Sequence, residues 1–147
     1  MDSKSAKLKV SKLPKYQDKS VGQPEMHQIF DSLRIILQPF AGGSIQVRMA
    51  AGQYHLWSEK DMLVNGRKMN ELLFASVMVQ KGYVGFYFFP IYCYPDLKKT
   101  LPSKLLALLK GKTCFHIRKW DEELRRNIEM TLKAGHLLYL RQGWAAR

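Results

Sequence analysis

Residues 78–95 read MVQKGYVGFYFFPIYCYP, and residues 111–118 read GKTCFHIR. In the first stretch the side chains of one face alternate with those of the other: Val84, Phe86 and Phe88 against Tyr83, Tyr87 and Phe89. This alternation predicts a strand that is apolar on both faces, typical of the centre of a sheet or the wall of a pocket. Gly85 lies on the tyrosine face, where a missing side chain leaves room for close approach.

The second stretch alternates in the same way. Phe115 and Ile117 are predicted to face inward, and the other face carries Lys112, Cys114, His116 and Arg118. We expect this basic strand to lie in the same sheet as the aromatic strand, so that rings and cations share one surface.

Periodic patterns continue outward from these two stretches. Apolar residues at three- and four-residue steps predict a helix that begins at Pro24 and ends before Gly42-Gly43. Alternation and turn signals predict strands at 45–49, 54–57, 72–80, 83–89 and 112–118. A short helix is predicted at 101–109, and Asp121 is predicted to cap a C-terminal helix.

This order of elements predicts an α+β fold. We expect a largely antiparallel sheet of about five strands, flanked by an N-terminal and a C-terminal helix, with a short helix inserted before the last strand. The length of 147 residues fits one domain. We expect a basic, flexible tail at 1–23 and a single domain at 24–147.

Composition favours an anionic partner. The chain carries 24 Lys and Arg against 12 Asp and Glu, a net charge of +12, which attracts polyanions at long range. Many of the cations lie in two blocks, six in the predicted tail and seven in an acid-free run at 97–120. They are either solvated surface charge or a surface that binds RNA, DNA or another anion. Two cysteines, no leader-like apolar run and no stretch of about 20 apolar residues predict a cytoplasmic protein without a membrane span.

Two motifs resemble a known family. Residues 80–92, QKGYVGFYFFPIY, resemble the strand–turn core of the YdhG-like proteins, the family called domain of unknown function 1801. Residues 109–117, LKGKTCFHI, resemble its second recurring motif, and the acidic run at 121–123 follows. The resemblance covers about residues 24–142. It implies a compact α+β domain with terminal helices, and most members of the family have no assigned activity.

One branch of that family is described as a frataxin-like intracellular iron chaperone, which implies metal handling as an alternative function. The residues available for that role are Cys114, His116, Asp121, Glu122 and Glu123. Cys93 could join Cys114 and His116 if their strands are neighbours. The other interpretation of the acidic run is a helix start with charges that suit the helix dipole.

No catalytic or cofactor-binding motif is found. GxSxG, GxGxxG and a complete phosphate-binding loop are absent from the sequence. Cys114 stands between Lys112 and Arg118, so its pKa is either lowered, as in a nucleophile, or that of a packed structural thiol. An enzyme that uses Cys114 and His116 is therefore a third hypothesis, and a binding protein is favoured.

The leading hypothesis combines rings with cations. Tyrosines offer stacking surfaces, and the neighbouring cations offer contacts to anions, as in sites for nucleotides or single strands. The candidate ligand-binding residues are Tyr83, Tyr87, Tyr92, Tyr94, Lys110, Lys112, His116 and Arg118. The alternative is that these rings only pack the core. The sequence thus favours a small binding module for an anionic ligand or nucleic acid.

Overall fold

A computed structural model describes residues 17–147. The first 16 residues of the predicted tail lie outside the described residues. The helices are α1 (Pro24–Leu37), α2 (Pro90–Cys93), α3 (Ser103–Leu106) and α4 (Glu122–Gln142), and short 3-10 turns cover Gln38–Phe40 and Pro95–Thr100. The strands are β1 (Ile45–Ala50), β2 (Gln53–Ser58), β3 (Met62–Val64), β4 (Arg67–Met69), β5 (Leu72–Gln80), β6 (Tyr83–Phe88), β7 (Leu109–Lys110) and β8 (Cys114–Ile117).

Six strands form one antiparallel sheet in the order β1-β2-β5-β6-β8-β7. The predicted α+β fold with terminal helices is therefore confirmed. The sheet has one strand more than expected, because the end of the predicted helix at 101–109 is the short strand β7. Leu109 and Lys110 pair with Phe115 and Cys114, and the chain reverses at Gly111, whose φ of 77° suits glycine.

The remaining differences concern short elements. The Asn65-Gly66 turn joins β3 to β4, a separate two-stranded hairpin that alternation alone did not predict. Both turn residues have positive φ, 50° and 84°, as a tight hairpin requires. Pro90 and Pro95 each begin a helical turn, the position where the missing N–H of proline costs nothing.

The core lies between one face of the sheet and the two long helices. From α1 it takes the stripe Ile29, Phe30, Leu33, Ile36 and Leu37. From the sheet it takes the fully buried rings of Phe74, Phe86, Phe88 and Phe115. Tyr139 of α4 packs edge-on against Phe74 at 5.3 Å between centroids, and its hydroxyl donates to the Leu73 carbonyl at 2.6 Å. Burying this stripe and these rings is the main favourable contribution to folding.

The chain after α4 ties the small hairpin to the body. Trp144 is buried against Tyr139, and its indole N–H donates to the Leu63 carbonyl at 2.7 Å. The Ser58 hydroxyl donates to the Trp144 carbonyl at 2.6 Å. These bonds hold β2 and β3 to the C-terminus.

The opposite face of the sheet carries Gln53, His55 and Trp57 from β2, Ser76 and Met78 from β5, Tyr83, Gly85 and Tyr87 from β6, and Cys114 and His116 from β8. We call it the helix-free face, because within residues 17–147 the long helices pack on the core side. Residues 17–23 reach the rim of the sheet at the β5–β6 turn. There the Gln23 side chain donates to the Gln80 carbonyl at 3.0 Å and accepts from the Gly82 N–H at 2.9 Å.

Gly135 explains how closely α4 approaches the sheet. A Cβ at this position would collide with the Phe88 ring and lie 2.9 Å from Pro90 Cγ. In an exposed helix Gly→Ala stabilises by about 1 kcal/mol, but here overpacking costs about 1–3 kcal/mol. We therefore predict that Gly135→Ala lowers the free energy of unfolding, measured by urea denaturation.

Lys133→Ala, an exposed site on the same helix, is the matched control and should change stability by less than about 0.5 kcal/mol. A Gly135→Ala protein more stable than the parent would contradict the close approach.

Candidate nucleic-acid interface

The aromatic strand and the basic strand are direct neighbours. β6 pairs with β8 so that Gly85 lies opposite His116, and Tyr87 lies opposite Cys114. The prediction that both segments share one sheet is confirmed. Phe115 and Ile117 are fully buried on the core side, so the register places the cations and tyrosines together on the helix-free face.

Tyr83 and His116 form the centre of this surface. Their rings stack nearly parallel, with centroids 3.8 Å apart and planes 12° apart. The two side chains are diagonal neighbours across the strands, and Gly85, opposite His116, adds no side chain between them. The ring of Tyr87 folds back over Gly85, with Cε1 2.8 Å from where a Cβ would sit. A side chain at position 85 would therefore collide with the Tyr87 ring in this arrangement.

Cations flank these rings. The guanidinium carbon of Arg118 lies 5.5 Å from the Tyr83 ring centroid. Lys112 Nζ lies 5.7 Å from the Tyr92 ring centroid, and Tyr92 in turn contacts Phe89 at 5.1 Å between centroids. We call Tyr83, Tyr92, Lys112, His116 and Arg118 the ring–cation surface. The Tyr83 and Tyr92 rings each lie within cation–π distance of their cation.

Two other candidate residues lie at its margin. Lys110 lies on the edge strand β7, pairs with Cys114 of β8 and is exposed. Its charge therefore lies beside the ring–cation surface. Tyr94 follows α2, is exposed, and makes no ring contact within residues 17–147. The structure therefore brings seven of the eight candidates together or close by, and Tyr94 does not join the ring contacts.

The cations of the surface form no ion pairs with described residues, although Asp121 and Glu123 line a groove together with His116 and Arg118. Within residues 17–147 no carboxylate lies at ion-pair distance from Lys110, Lys112, Arg118 or Lys119. Burial holds the pKa of His116 below its usual range, and the charges of Arg118 and Lys110 lower it further. The stacked imidazole is therefore neutral at pH 7, and the positive charge comes from the flanking side chains.

A groove opens on the same face beside the ring–cation surface. Its volume is about 280 Å³, and its lining includes His55, Trp57, Ser76, Met78, Tyr87 and Phe89. We call it the Trp57 groove. The β2 and β5 residues of this groove were not among the predicted site residues. The alternation of Gln53, His55 and Trp57 with Tyr54 and Leu56 was the available signal.

The side chains of His55 and Ser76 lie under the groove, and both are buried and hydrogen-bonded. The two ring nitrogens of His55 lie 2.7 Å from Ser76 Oγ and 2.7 Å from Gln53 Oε1. Burial, assisted by the charge of Arg48, lowers the pKa of His55 to about 4. Arg48 itself lies 4.5 Å over the Trp57 ring and pairs with Glu59 and Glu71, each at 2.8 Å.

The hypothesis of an activated Cys114 thiol is wrong. Burial raises the pKa of Cys114, and the hydrogen bond with Tyr87 opposes this only in part. Burial, followed by the influence of Cys114, raises the pKa of Tyr87 to about 12. Lys112 and Arg118 are close to Cys114 in sequence, but burial, which disfavours the thiolate, sets the direction of its pKa.

The acidic residues predicted for the alternative metal site make other contacts. Asp121 accepts from the Leu124 N–H at 2.8 Å as a helix cap, Glu122 pairs with Arg125 at 2.6 Å, and Glu123 pairs with Lys104 at 2.8 Å. Cys93 is buried in the core cluster beside Tyr139, whereas Cys114 lies beside Tyr87 on the helix-free face. Among the described residues no three His, Cys, Asp or Glu side chains converge as a metal site would need.

No protein-family model, no curated protein and no solved structure matches this chain. The YdhG-like resemblance therefore stays a prediction. None of the helices formed by residues 17–147 has the length and apolar character that crossing a membrane requires.

The buried His55 should make folding sensitive to acid. Its folded pKa of about 4 lies below the ordinary 6.5, so the unfolded chain binds the proton first as pH falls, and stability is lost between about pH 6.5 and pH 4. We predict that acidification from pH 7 to pH 4.5 lowers the free energy of unfolding of His55→Gln by about 2–3 kcal/mol less than it lowers that of the parent. Urea denaturation at the two pH values measures the difference. The exposed His27→Gln variant is the control, and equal acid losses in all three proteins would contradict a buried neutral imidazole.

The packed Cys114 thiol should react slowly. We expect alkylation of Cys114 by iodoacetamide, followed by mass spectrometry, to be slow at pH 7 and to keep accelerating as the pH becomes alkaline, because burial raises its pKa. Fast labelling at pH 7 would contradict the packed thiol and restore the hypothesis of a nucleophile.

Proposed function

We propose that this protein is a small binding module that holds single-stranded nucleic acid on the helix-free face of its sheet. The observation that carries this proposal is the Tyr83–His116 stack, flanked by cations that form no ion pair with any described carboxylate. A sheet face that combines aromatic rings with Lys and Arg is suited to single strands, because every base has a flat face for stacking and every phosphate has a charge.

The rings supply the stacking contribution. Tyr83 and His116 are both partly exposed, and their parallel arrangement makes a rigid platform whose position the β6–β8 pairing fixes. A platform that is ordered before binding loses little conformational freedom when a base stacks on it. Stacking of this kind contributes about 1–3 kcal/mol per base with little preference for sequence.

The cations supply the attraction to phosphates. Arg118, Lys112 and Lys110 surround the platform without ion-pairing to described carboxylates, so a phosphate need not displace a protein acid to reach them. The sequence adds five lysines in the first 16 residues, outside the described region. These would strengthen binding to any polyanion without selecting a base.

The length of the surface favours a strand over a small anion. Tyr83 and Phe89 lie six residues apart along β6 and its extension, which corresponds to about 20 Å at about 3.3 Å per residue. The two cation–ring pairs lie toward opposite ends of this distance. An extended polyanion contacts both pairs at once, whereas a single phosphate reaches only one.

Fluorescence anisotropy with a labelled single-stranded RNA of about 12 nucleotides tests this proposal. We expect saturable binding whose affinity falls between about 50 and 200 mM salt. Tyr83→Ala should weaken binding about 5- to 100-fold with the salt slope unchanged, because it removes stacking. Arg118→Ala should weaken binding and reduce the slope of log K against log salt by about 0.7, because it removes one phosphate contact.

Lys68→Ala, an exposed cation on β4, is the control for loss of charge. Equal effects of Lys68→Ala and Arg118→Ala, with no effect of Tyr83→Ala, would show diffuse attraction and contradict a site on the sheet. If free phosphate or a nucleotide binds as tightly as the RNA, the ligand is a small anion and not a single strand.

A further inference from the structure

Trp57 lies outside the ring–cation surface and carries a polar group of its own, the indole N–H. Its indole N–H is buried and has no hydrogen-bond partner in the part of the chain that the structure describes. The other polar groups nearby are satisfied, since both nitrogens of His55 are bonded at 2.7 Å. A buried donor without an acceptor is costly and uncommon in folded proteins. The free donor therefore favours a ligand that brings an acceptor.

The Trp57 groove has the shape and lining for one small ring. Its volume of about 280 Å³ is slightly below the usual range for ligand pockets, about 300–1,000 Å³. Trp57, Tyr87 and Phe89 offer aromatic walls. Met78 lines the same groove, and its unbranched thioether side chain can adapt its shape to the ring that enters.

Charge decides which part of a nucleotide the groove suits. Arg48 lies over Trp57, but Glu59 and Glu71 each pair with it at 2.8 Å, so this cluster carries a net charge of −1. His55 is neutral near pH 7 because its pKa is about 4. A phosphate is therefore disfavoured beside Trp57, whereas an uncharged ring is not.

The groove is continuous with the ring–cation surface. Phe89 lines the groove and contacts Tyr92 at 5.1 Å between centroids, and Tyr92 lies under Lys112. Tyr87 of β6 lines the groove, as does Phe89, which follows the end of that strand. A strand whose phosphates contact Lys112 would thus bring its neighbouring base to the mouth of the groove.

We propose that the Trp57 groove receives one unstacked nucleobase, whose ring packs against Trp57, Tyr87 and Phe89 and whose acceptor atom takes the Trp57 N–H. This inference rests on the proposed binding of a single strand and adds a base-binding subsite to it. Every nucleobase carries an acceptor on its edge, so the Trp57 N–H would orient the base that enters and would reject rings that have no acceptor.

Proton–nitrogen NMR of the indole groups tests the subsite in the full chain. The sequence has three tryptophans, and Trp57→Phe and Trp120→Phe assign their signals. We titrate the protein separately with the four free nucleosides, which lack phosphate, and with the single-stranded RNA. We expect the Trp57 signal to move saturably downfield with at least one nucleoside and with the RNA, and the Trp144 signal to stay in place.

Trp57→Phe should keep the ring but lose the donor, and weaken nucleoside binding about 3- to 10-fold, whereas Trp120→Phe should not. The titration with nucleosides tests the Trp57 groove separately, because nucleosides have no phosphate to contact the cations. A Trp57 signal unmoved by every nucleoside and by bound RNA overturns the groove and leaves the strand-binding proposal intact. If the Trp57 signal moves saturably with a nucleoside but the protein binds no RNA, the Trp57 groove is supported and the proposed function is overturned.

Discussion

The pairing of β6 with β8 is the constraint on which the helix-free face depends. In this register Val84 lies opposite Ile117 and Phe86 opposite Phe115, all fully buried. A slip by one residue would place these apolar side chains in water and send the tyrosines and His116 into the core. Burial of the core side therefore fixes the position of the Tyr83–His116 stack, although that stack lies on the other face.

Both long helices are held on one face of the sheet, so within residues 17–147 the opposite face is not covered by them. Gly135 lets α4 lie against Phe88, and the segment after α4 is bonded to β2 and β3. The helix-free face then combines two environments. One is a basic aromatic surface at β6 and β8, and the other is a neutral groove over a buried, hydrogen-bonded histidine. A strand with charged phosphates and uncharged bases has the same two kinds of group.

Much of this could be predicted from the sequence because it follows from periodicity. Alternation at 83–89 and 112–118 gave the faces of β6 and β8, and the α1 stripe gave the core side. Three-residue strands and single helical turns are too short to show a period. The Trp57 groove depends on which strands are neighbours across the sheet, as His55 and Ser76 are, and the pKa of Cys114 depends on burial. Neither follows from spacing along the chain.

The central claim is that a single strand lies on the helix-free face, and chemical-shift mapping with a short single-stranded RNA tests it most directly. The account predicts saturable shifts concentrated on Tyr83, Tyr87, Lys112, His116 and Arg118, with the exposed faces of α1 and α4 unchanged. Shifts confined to those helices, or spread evenly over all exposed lysines, would contradict it.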